Sequence, residues 1–290
     1  MRIGTRGSAL ALAQARQVAK LLGGEHELVE VVTSGDRDPF PPTGGRDGIS
    51  SDKERWVREL DAALLDGSVD CAVHSAKDVP AQLPEGIVIA AVPSRADPRD
   101  ALCGAATLAA LAPGARVGTS SLRRAAQVRA LRDDLAVVEL RGNVDTRLRK
   151  LEDGAYDAIV LAAAGLARLG RSEAGTPLDE LVPASGQGCL AVTTRAGEGS
   201  LVAEIDDPAA ARALTAERAL VRALQADCHT PVGAHARVLG PDALTLRAFV
   251  GAVDGSAWVR DELDGSDPER LGAAVAQRLL SAGAREVLAS

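Results

Sequence analysis

The residues best placed to do chemistry lie in Val73-His74-Ser75-Ala76-Lys77-Asp78-Val79-Pro80, where an apolar run from Val69 to Val73 turns polar and a proline ends it. The length and β-branched content of that run suit a buried strand, so Lys77 and Asp78 stand at its carboxyl end. Ligands of open α/β sheets sit in the crevice outside the strand ends. A carboxylate beside a lysine stays ionised there, because a neighbouring cation favours the charged form. Asp78 is therefore a candidate for steadying positive charge on a bound molecule. The alternative is a solvated ion pair at a strand end.

Arginine recurs at three strand-to-helix junctions, each time with Ser, Thr or Asn: Thr5-Arg6-Gly7-Ser8, Gly118-Thr119-Ser120-Ser121-Leu122-Arg123-Arg124, and Leu140-Arg141-Gly142-Asn143-Val144-Asp145-Thr146-Arg147. Helix N-termini favour anions, so these turns suit carboxylates or phosphates. Arg123 and Arg124 in a first helical turn oppose the helix dipole, a small cost that makes sense if an anion lies between them. The alternative is that both reach into water. Arg168 follows a further strand, Tyr156 to Ala162. Together the junctions outline a cleft for a ligand with several carboxylates, with Asp78 as its negative exception. Two α/β halves closing on such a ligand form the architecture of a bilobal binding protein.

The elements that must position these residues follow from pattern and punctuation. Ser8 can cap a helix from Ala9 to about Leu22, with Gln14 near its start and Gly23-Gly24 at its end. Leu28 to Thr33 reads as a strand. Ser34 to Asp52 is rich in Gly, Pro, Asp and Ser, which suits a mobile lid or a plain disordered insertion. Helical periodicity returns from Glu54 to Leu65, and Ile87 to Val92 is a strand. Arg95 to Pro98 suits a crossing into a second domain. Val182-Pro183-Ala184-Ser185-Gly186-Gln187-Gly188-Cys189 leads into a strand, Leu190 to Thr194, that crosses back. From Pro208 the character changes: a helix to Leu224, a turn holding Cys228, three strands with an Asp254-Gly255 hairpin turn, and a helix from Pro268.

Composition bounds the function. The 290 residues suggest two or three domains, and 46% hydrophobic with 25% charged residues describes an ordinary globular chain. Aromatics are only 2%, so the cores must be filled with Leu, Val and Ala. A net charge of −7 and a pI near 5.2 argue against a nucleic-acid or anionic-membrane partner through bulk electrostatics. Met1 is followed by no long apolar stretch, so a cytoplasmic location is the expectation. Cys71, Cys103, Cys189 and Cys228 are widely spaced, which fits reduced thiols better than disulfides or a zinc site, and no metal motif is present.

Taken together, these motifs resemble the porphobilinogen deaminases, also called hydroxymethylbilane synthases. The resemblance spans nearly the whole chain and adds Asp97-Pro98-Arg99-Asp100, Gly186-Gln187-Gly188 and Cys228-His229-Thr230-Pro231-Val232-Gly233 to the three junctions and the Asp78 stretch. It implies two periplasmic-binding-protein-like lobes and a small α+β C-terminal domain, divided as 1–94 plus 188–207, 95–187 and 208–290. It implies a dipyrromethane cofactor held through a thioether at Cys228. Lys77, Ser121, Arg123, Arg124 and Arg147 match positions that hold the cofactor's carboxylates. Arg6, Ser8, Gln14, Arg141, Arg168 and Gln187 match those handling incoming porphobilinogen and the growing chain. The resemblance also implies that Asp78 faces the pyrrole nitrogens and stabilises the cation left when ammonia departs. Four additions and a hydrolysis would yield the linear tetrapyrrole, and a monomer is implied. At the end of the lid Lys53-Glu54-Arg55-Trp56 departs from the family's Lys-Gly-x-Phe, so Trp56 must supply the aromatic face; Asp227 replaces a small residue. Two rivals remain: a non-catalytic polycarboxylate-binding protein, and a Schiff-base role for Lys77.

Overall fold

The computed structural model describes residues 1–37, 54–226 and 230–289. Most of the expected lid, including Lys53, and the turn with Cys228 lie outside the described residues. In chain order the elements begin with β1 (Arg2–Thr5), α1 (Ala9–Leu22), β2 (Glu27–Glu30), α2 (Ser34–Arg37), α3 (Glu54–Leu65), β3 (Cys71–Ser75) and β4 (Ile87–Ala91). There follow β5 (Asp100–Cys103), β6 (Arg116–Gly118), α4 (Leu122–Leu131), β7 (Ala136–Val138), α5 (Val144–Glu152), β8 (Ala158–Ala162), α6 (Ala163–Arg168) and β9 (Thr176–Leu178). The chain ends with β10 (Leu190–Arg195), α7 (Pro208–Ala223), β11 (Val232–Gly240), β12 (Ala243–Gly251), β13 (Trp258–Gly265), α8 (Pro268–Ser281) and α9 (Ala284–Ala289).

Two compact units result: Met1–Arg95 with Cys189–Ala211, and Ala96–Gly188 with Arg212–Ser290. The first holds a sheet ordered β2-β1-β3-β10-β4 and the second a sheet ordered β7-β6-β8-β5-β9. These are one topology used twice. In each, the first three neighbours are parallel and the fourth strand runs antiparallel to both of its partners. That fourth strand is in each case reached after the chain has crossed from the other unit. Residues 232–265 form a separate three-stranded antiparallel meander, β11-β12-β13, backed by α7 and α8 through Leu220, Leu246, Val250, Leu271 and Val275. The class is α/β, two lobes of one topology with a smaller α+β piece at the C-terminal end.

Local sequence explains the scaffold. In α1 the inward residues Ala11, Gln14, Ala15 and Val18 repeat at helical spacing, Ser8 caps the start, and Gly23 ends it at φ 64°. Ala15 and Val18 pack on Ile3, Val73, Leu190 and Val192. Burial of each Leu, Val or Ile side chain contributes about 1.5–3 kcal/mol. Two features differ from the sequence reading. Strand β3 is shifted toward the C-terminus relative to Val69–Val73, because the Val69 amide donates to Ala63 O (3.1 Å) and belongs to the connection from α3. Strands β5 and β9 were not foreseen, since runs of three and four residues leave no periodic signal.

Candidate active site

In the first unit β1 and β3 are adjacent and parallel, so the turns after them share the carboxyl end of the sheet. After β1 the chain is pinned by the buried Thr5 hydroxyl, which donates to Ala11 O (3.1 Å), and by Ser8 Oγ, which accepts from Ala11 N (3.2 Å). Buried Gln14 reaches across from α1, its Nε2 donating to Ser75 Oγ (2.7 Å) at the last residue of β3. Lys77 and Asp78 follow on a single 3-10 turn, Ala76–Asp78. This turn is fixed at both ends: Ala76 N donates to Cys189 O (3.1 Å), and Val79 N closes on Ala76 O (3.2 Å). Beneath it, buried His74 bonds Thr193 Oγ1 through Nε2 (3.0 Å). Burial and, second, the charge of Arg6 push its pKa down to about 4, which keeps the ring neutral near pH 7. The half-buried Asp78 is therefore carried by a rigid turn, which is what a preorganised charge requires.

Arg6 is already engaged. Its Nε lies 3.2 Å from both Asp36 oxygens and its guanidinium carbon sits 4.0 Å above the centre of the Trp56 ring. Burial works against the ionised Asp36, but the Arg6 and Thr33 hydrogen bonds outweigh it and hold the carboxyl below its usual range. Trp56 thus meets a cation through its face, and Asp36, which the sequence did not single out, is the carboxylate paired with Arg6 among the described residues.

In the second unit β7, β6 and β8 are parallel and bring three junctions to one sheet end. After β6, Ser121 caps α4, its Oγ accepting from Arg124 N (3.4 Å). Gly118 is required by packing, because a Cβ there would lie 2.8 Å from the Tyr156 ring. The anion expected between Arg123 and Arg124 belongs to the protein: it is Asp100, the first residue of β5. Asp100 is 0% exposed, and Arg123 and Arg124 are 5% exposed. Arg123 Nη1 donates to Asp100 Oδ2 (2.7 Å) and to Val182 O (2.7 Å), while Arg124 Nε donates to Asp100 Oδ1 (2.9 Å) and its Nη1 to Val160 O (3.0 Å). Gln187 adds a third donor, Nε2 to Asp100 Oδ1 (2.9 Å), and also bonds Pro98 O (2.7 Å). Burial disfavours the charged carboxylate, yet the two arginines prevail and hold Asp100 well below the usual carboxylate range.

Arg147 has a different setting. Its Nε donates to Gly142 O (2.7 Å) and its Nη2 to Ser120 Oγ (3.1 Å), and among the described residues it has no carboxylate. Burial and then Arg124 push its pKa down to about 10, the mark of a cation lacking a counter-charge. Arg141 is exposed and pairs with Glu139 (2.6 Å). Arg168 donates through Nη2 to Gly188 O (2.8 Å), which ties α6 to the Gly186-Gln187-Gly188 loop. Arg6, Ser8, Gln14, Lys77 and Asp78 thus gather at the carboxyl end of the first unit's sheet, and Ser121, Arg123, Arg124, Arg147, Arg168 and Gln187 belong to the junctions and loop of the second unit. Asp100 is the residue sequence reasoning missed as a site component. Its signal was the Asp97-Pro98-Arg99-Asp100 run, which carried part of the family resemblance without a role being given to Asp100.

Cys71, Cys103 and Cys189 are buried. Burial pushes the Cys71 thiol up to about 12 and the Cys103 thiol up to about 11, so neither is a nucleophile near neutral pH. Among the described residues no group of three His, Cys, Asp or Glu could hold a metal ion, and no helix is long and apolar enough to cross a membrane.

Residues 1–203 match the family model described as "Porphobilinogen deaminase, dipyromethane cofactor binding domain", and residues 211–281 match "Porphobilinogen deaminase, C-terminal domain". Curated relatives agree along the whole length. The porphobilinogen deaminase of Roseiflexus castenholzii is 50% identical over 302 residues, covering 99% of this chain and 98% of the relative. That of Rubrobacter xylanophilus is 50% identical over 296 residues, covering 99% and 95%. That of Syntrophus aciditrophicus is 45% identical over 303 residues, covering 99% and 97%.

Proposed function

The chain belongs to the porphobilinogen deaminase family, and from that premise we propose how its own residues divide the work of joining four porphobilinogen molecules, with loss of four ammonia molecules, into a linear tetrapyrrole released by water. The observation that carries the proposal is the rigid 3-10 turn that holds Asp78 at the carboxyl end of β3. Loss of ammonia from the aminomethyl group leaves a cationic pyrrole. A carboxylate held fixed at that point stabilises the cation without reorganising, and an Asp within hydrogen-bond reach of a pyrrole N–H can also move a proton.

The family's dipyrromethane fits the donor set of the second unit. A cofactor with acetate and propionate arms needs cations, and Arg147 is a half-buried cation with no carboxylate among the described residues, beside Ser120 and Ser121 at a helix start. When bound, the dipyrromethane supplies the nucleophilic pyrrole carbon. Arg147, Ser121 and Lys77 would hold its carboxylates. Arg123 and Arg124 would reach it only with donors not committed to Asp100, so Asp100 sets their geometry. Cys228 would carry the thioether, a role supported by the inert character of Cys71 and Cys103.

Arg6, Ser8, Gln14, Arg141, Arg168 and Gln187 would serve substrate and product chain, with Lys53 and Trp56 at the lid. Gln14 and Gln187 act through position, since their amides are used on Ser75 and Asp100. We further propose the three-domain division 1–94 plus 188–207, 95–187 and 208–290, and a cytoplasmic monomer. Non-catalytic polycarboxylate binding would leave unexplained why relatives at 50% identity across 99% of the chain are deaminases. The test is to incubate the purified protein with porphobilinogen and quantify ammonia and product. Four ammonia molecules per linear tetrapyrrole support the reading; binding without ammonia release refutes it.

A further inference from the structure

A buried carboxyl group outside the proposed catalytic and binding set lies on α3. Asp61 is 7% exposed and has no hydrogen-bond or ion-pair partner among the described residues, whereas Leu60, Ala63 and Leu64 around it fill a core with Val69, Ala72 and Ile87. It opens onto a cavity of about 490 Å³ lined by Val57, Ala62, Leu65, Pro80, Leu83 and Pro84, with Arg58 and Gln82 as the other polar residues. That volume lies within the range of small-molecule sites, which pair apolar walls with a few placed polar groups. The cavity also touches the segment that follows the turn bearing Asp78.

An ionised carboxylate in such surroundings is costly unless paired. Burial alone pushes the Asp61 pKa up to about 6, so the group is still charged near pH 7. Other charges do not explain this. Among the described side chains, the elements packed on α3 bring Arg2 on β1, Cys71 and His74 on β3, Arg195 on β10 and Asp36 on α2, and β4 brings none; α3 itself adds Arg58 and Glu59. None of them moves the Asp61 titration. The cavity therefore offers the buried Asp61 carboxylate and an apolar wall, with the Arg58 guanidinium also on its lining.

We propose that this cavity is a binding site for a small organic ammonium ion, whose charged nitrogen pairs with Asp61 and whose apolar body packs on Val57, Leu65, Pro80, Leu83 and Pro84. The site is separate from Asp78 and does not depend on the deaminase reading. Binding requires the ionised carboxylate, so affinity falls about tenfold between pH 7 and pH 5, in proportion to the ionised fraction of a group titrating near 6.

The experiment is calorimetric titration of the full-length protein with benzylammonium, which is charged at both pH values, and with benzyl alcohol as the neutral isostere. Saturable binding of benzylammonium, at least tenfold weaker binding of benzyl alcohol, the stated pH dependence, and loss in Asp61→Asn but not in Asp78→Asn support the site. Asp61→Glu, which keeps the charge, should retain binding and guards against a folding artefact. Equal binding of the alcohol, undiminished binding by Asp61→Asn, loss in Asp78→Asn, or no binding at millimolar benzylammonium each overturn the proposal.

Discussion

Asp100 and Arg123 meet edge to edge, with Arg123 Nη1 2.7 Å from Oδ2 and Nη2 3.1 Å from Oδ1 of a carboxylate that no solvent reaches. Arg124 and Gln187 complete the shell around the same carboxylate. One acidic residue at the start of β5 thus allows two arginines in the first turn of α4, against the helix dipole. Removing it would leave two buried cations. Asp100→Asn should destabilise the protein by about 3–5 kcal/mol, read as a shift in the urea midpoint at constant slope. A change below about 1 kcal/mol would mean that the arginines find other partners.

Two buried groups should bend the pH-stability curve in opposite directions. His74 titrates near 4 folded against 6.5 unfolded, so its contribution is present above 6.5 and is lost as pH falls toward 4. The loss amounts to roughly 3 kcal/mol, and His74→Gln, which keeps a partner for Thr193 and removes the titration, should flatten that limb. Asp61 titrates near 6 folded against 3.8 unfolded, so the stability it confers is present below 3.8 and lost as pH rises through 6. Asp61→Asn should therefore be more stable than the parent at pH 7, by roughly 1–2 kcal/mol after screening from its open side, and equal to it near pH 3.5. Denaturant midpoints across pH 3.5–8 check both.

The thiols should differ sharply in reactivity. In protein made by a host that lacks porphobilinogen, a disulfide reagent at pH 8 should titrate one thiol quickly, assigned by peptide mapping to Cys228. Cys71 and Cys103, held high by burial, should react only on unfolding. Fast labelling of either would contradict the packing around them.

Asp78→Asn should leave cofactor loading and stability nearly unchanged and lower kcat by about 10²–10³-fold, the range for removing one preorganised electrostatic contact. Asp78→Glu should recover little of it, because the turn that carries the carboxylate is fixed at Ala76 and Val79. Turnover within threefold of the parent would remove Asp78 from its role.

Much of this arrangement was legible in the sequence, because helix starts announce themselves: Ser8, Ser121 and Asn143 are all N-caps, and each lies within one of the arginine-bearing junctions. The Asp78 stretch was legible for a similar reason, an apolar run ended by polar residues and a proline, although the strand itself lies two residues further on. What stayed hidden was non-local. The Asp100 carboxylate that organises Arg123 and Arg124 lies 23 residues away on a four-residue strand. The Arg6–Asp36 pair joins residues 30 apart, with α1 and β2 between them. Spacing rules reach along one element, whereas these pairings depend on which strands become neighbours.

The central claim, that pyrroles are joined on a primer tethered to Cys228 with Asp78 stabilising the cation, is tested most directly by the intact mass of protein purified from a porphobilinogen-making host. The account predicts an added mass of two linked pyrrole units, mapped to the Cys228 peptide, positive with Ehrlich's reagent and absent in Cys228→Ala. An unmodified Cys228 that supplied porphobilinogen never loads would contradict it.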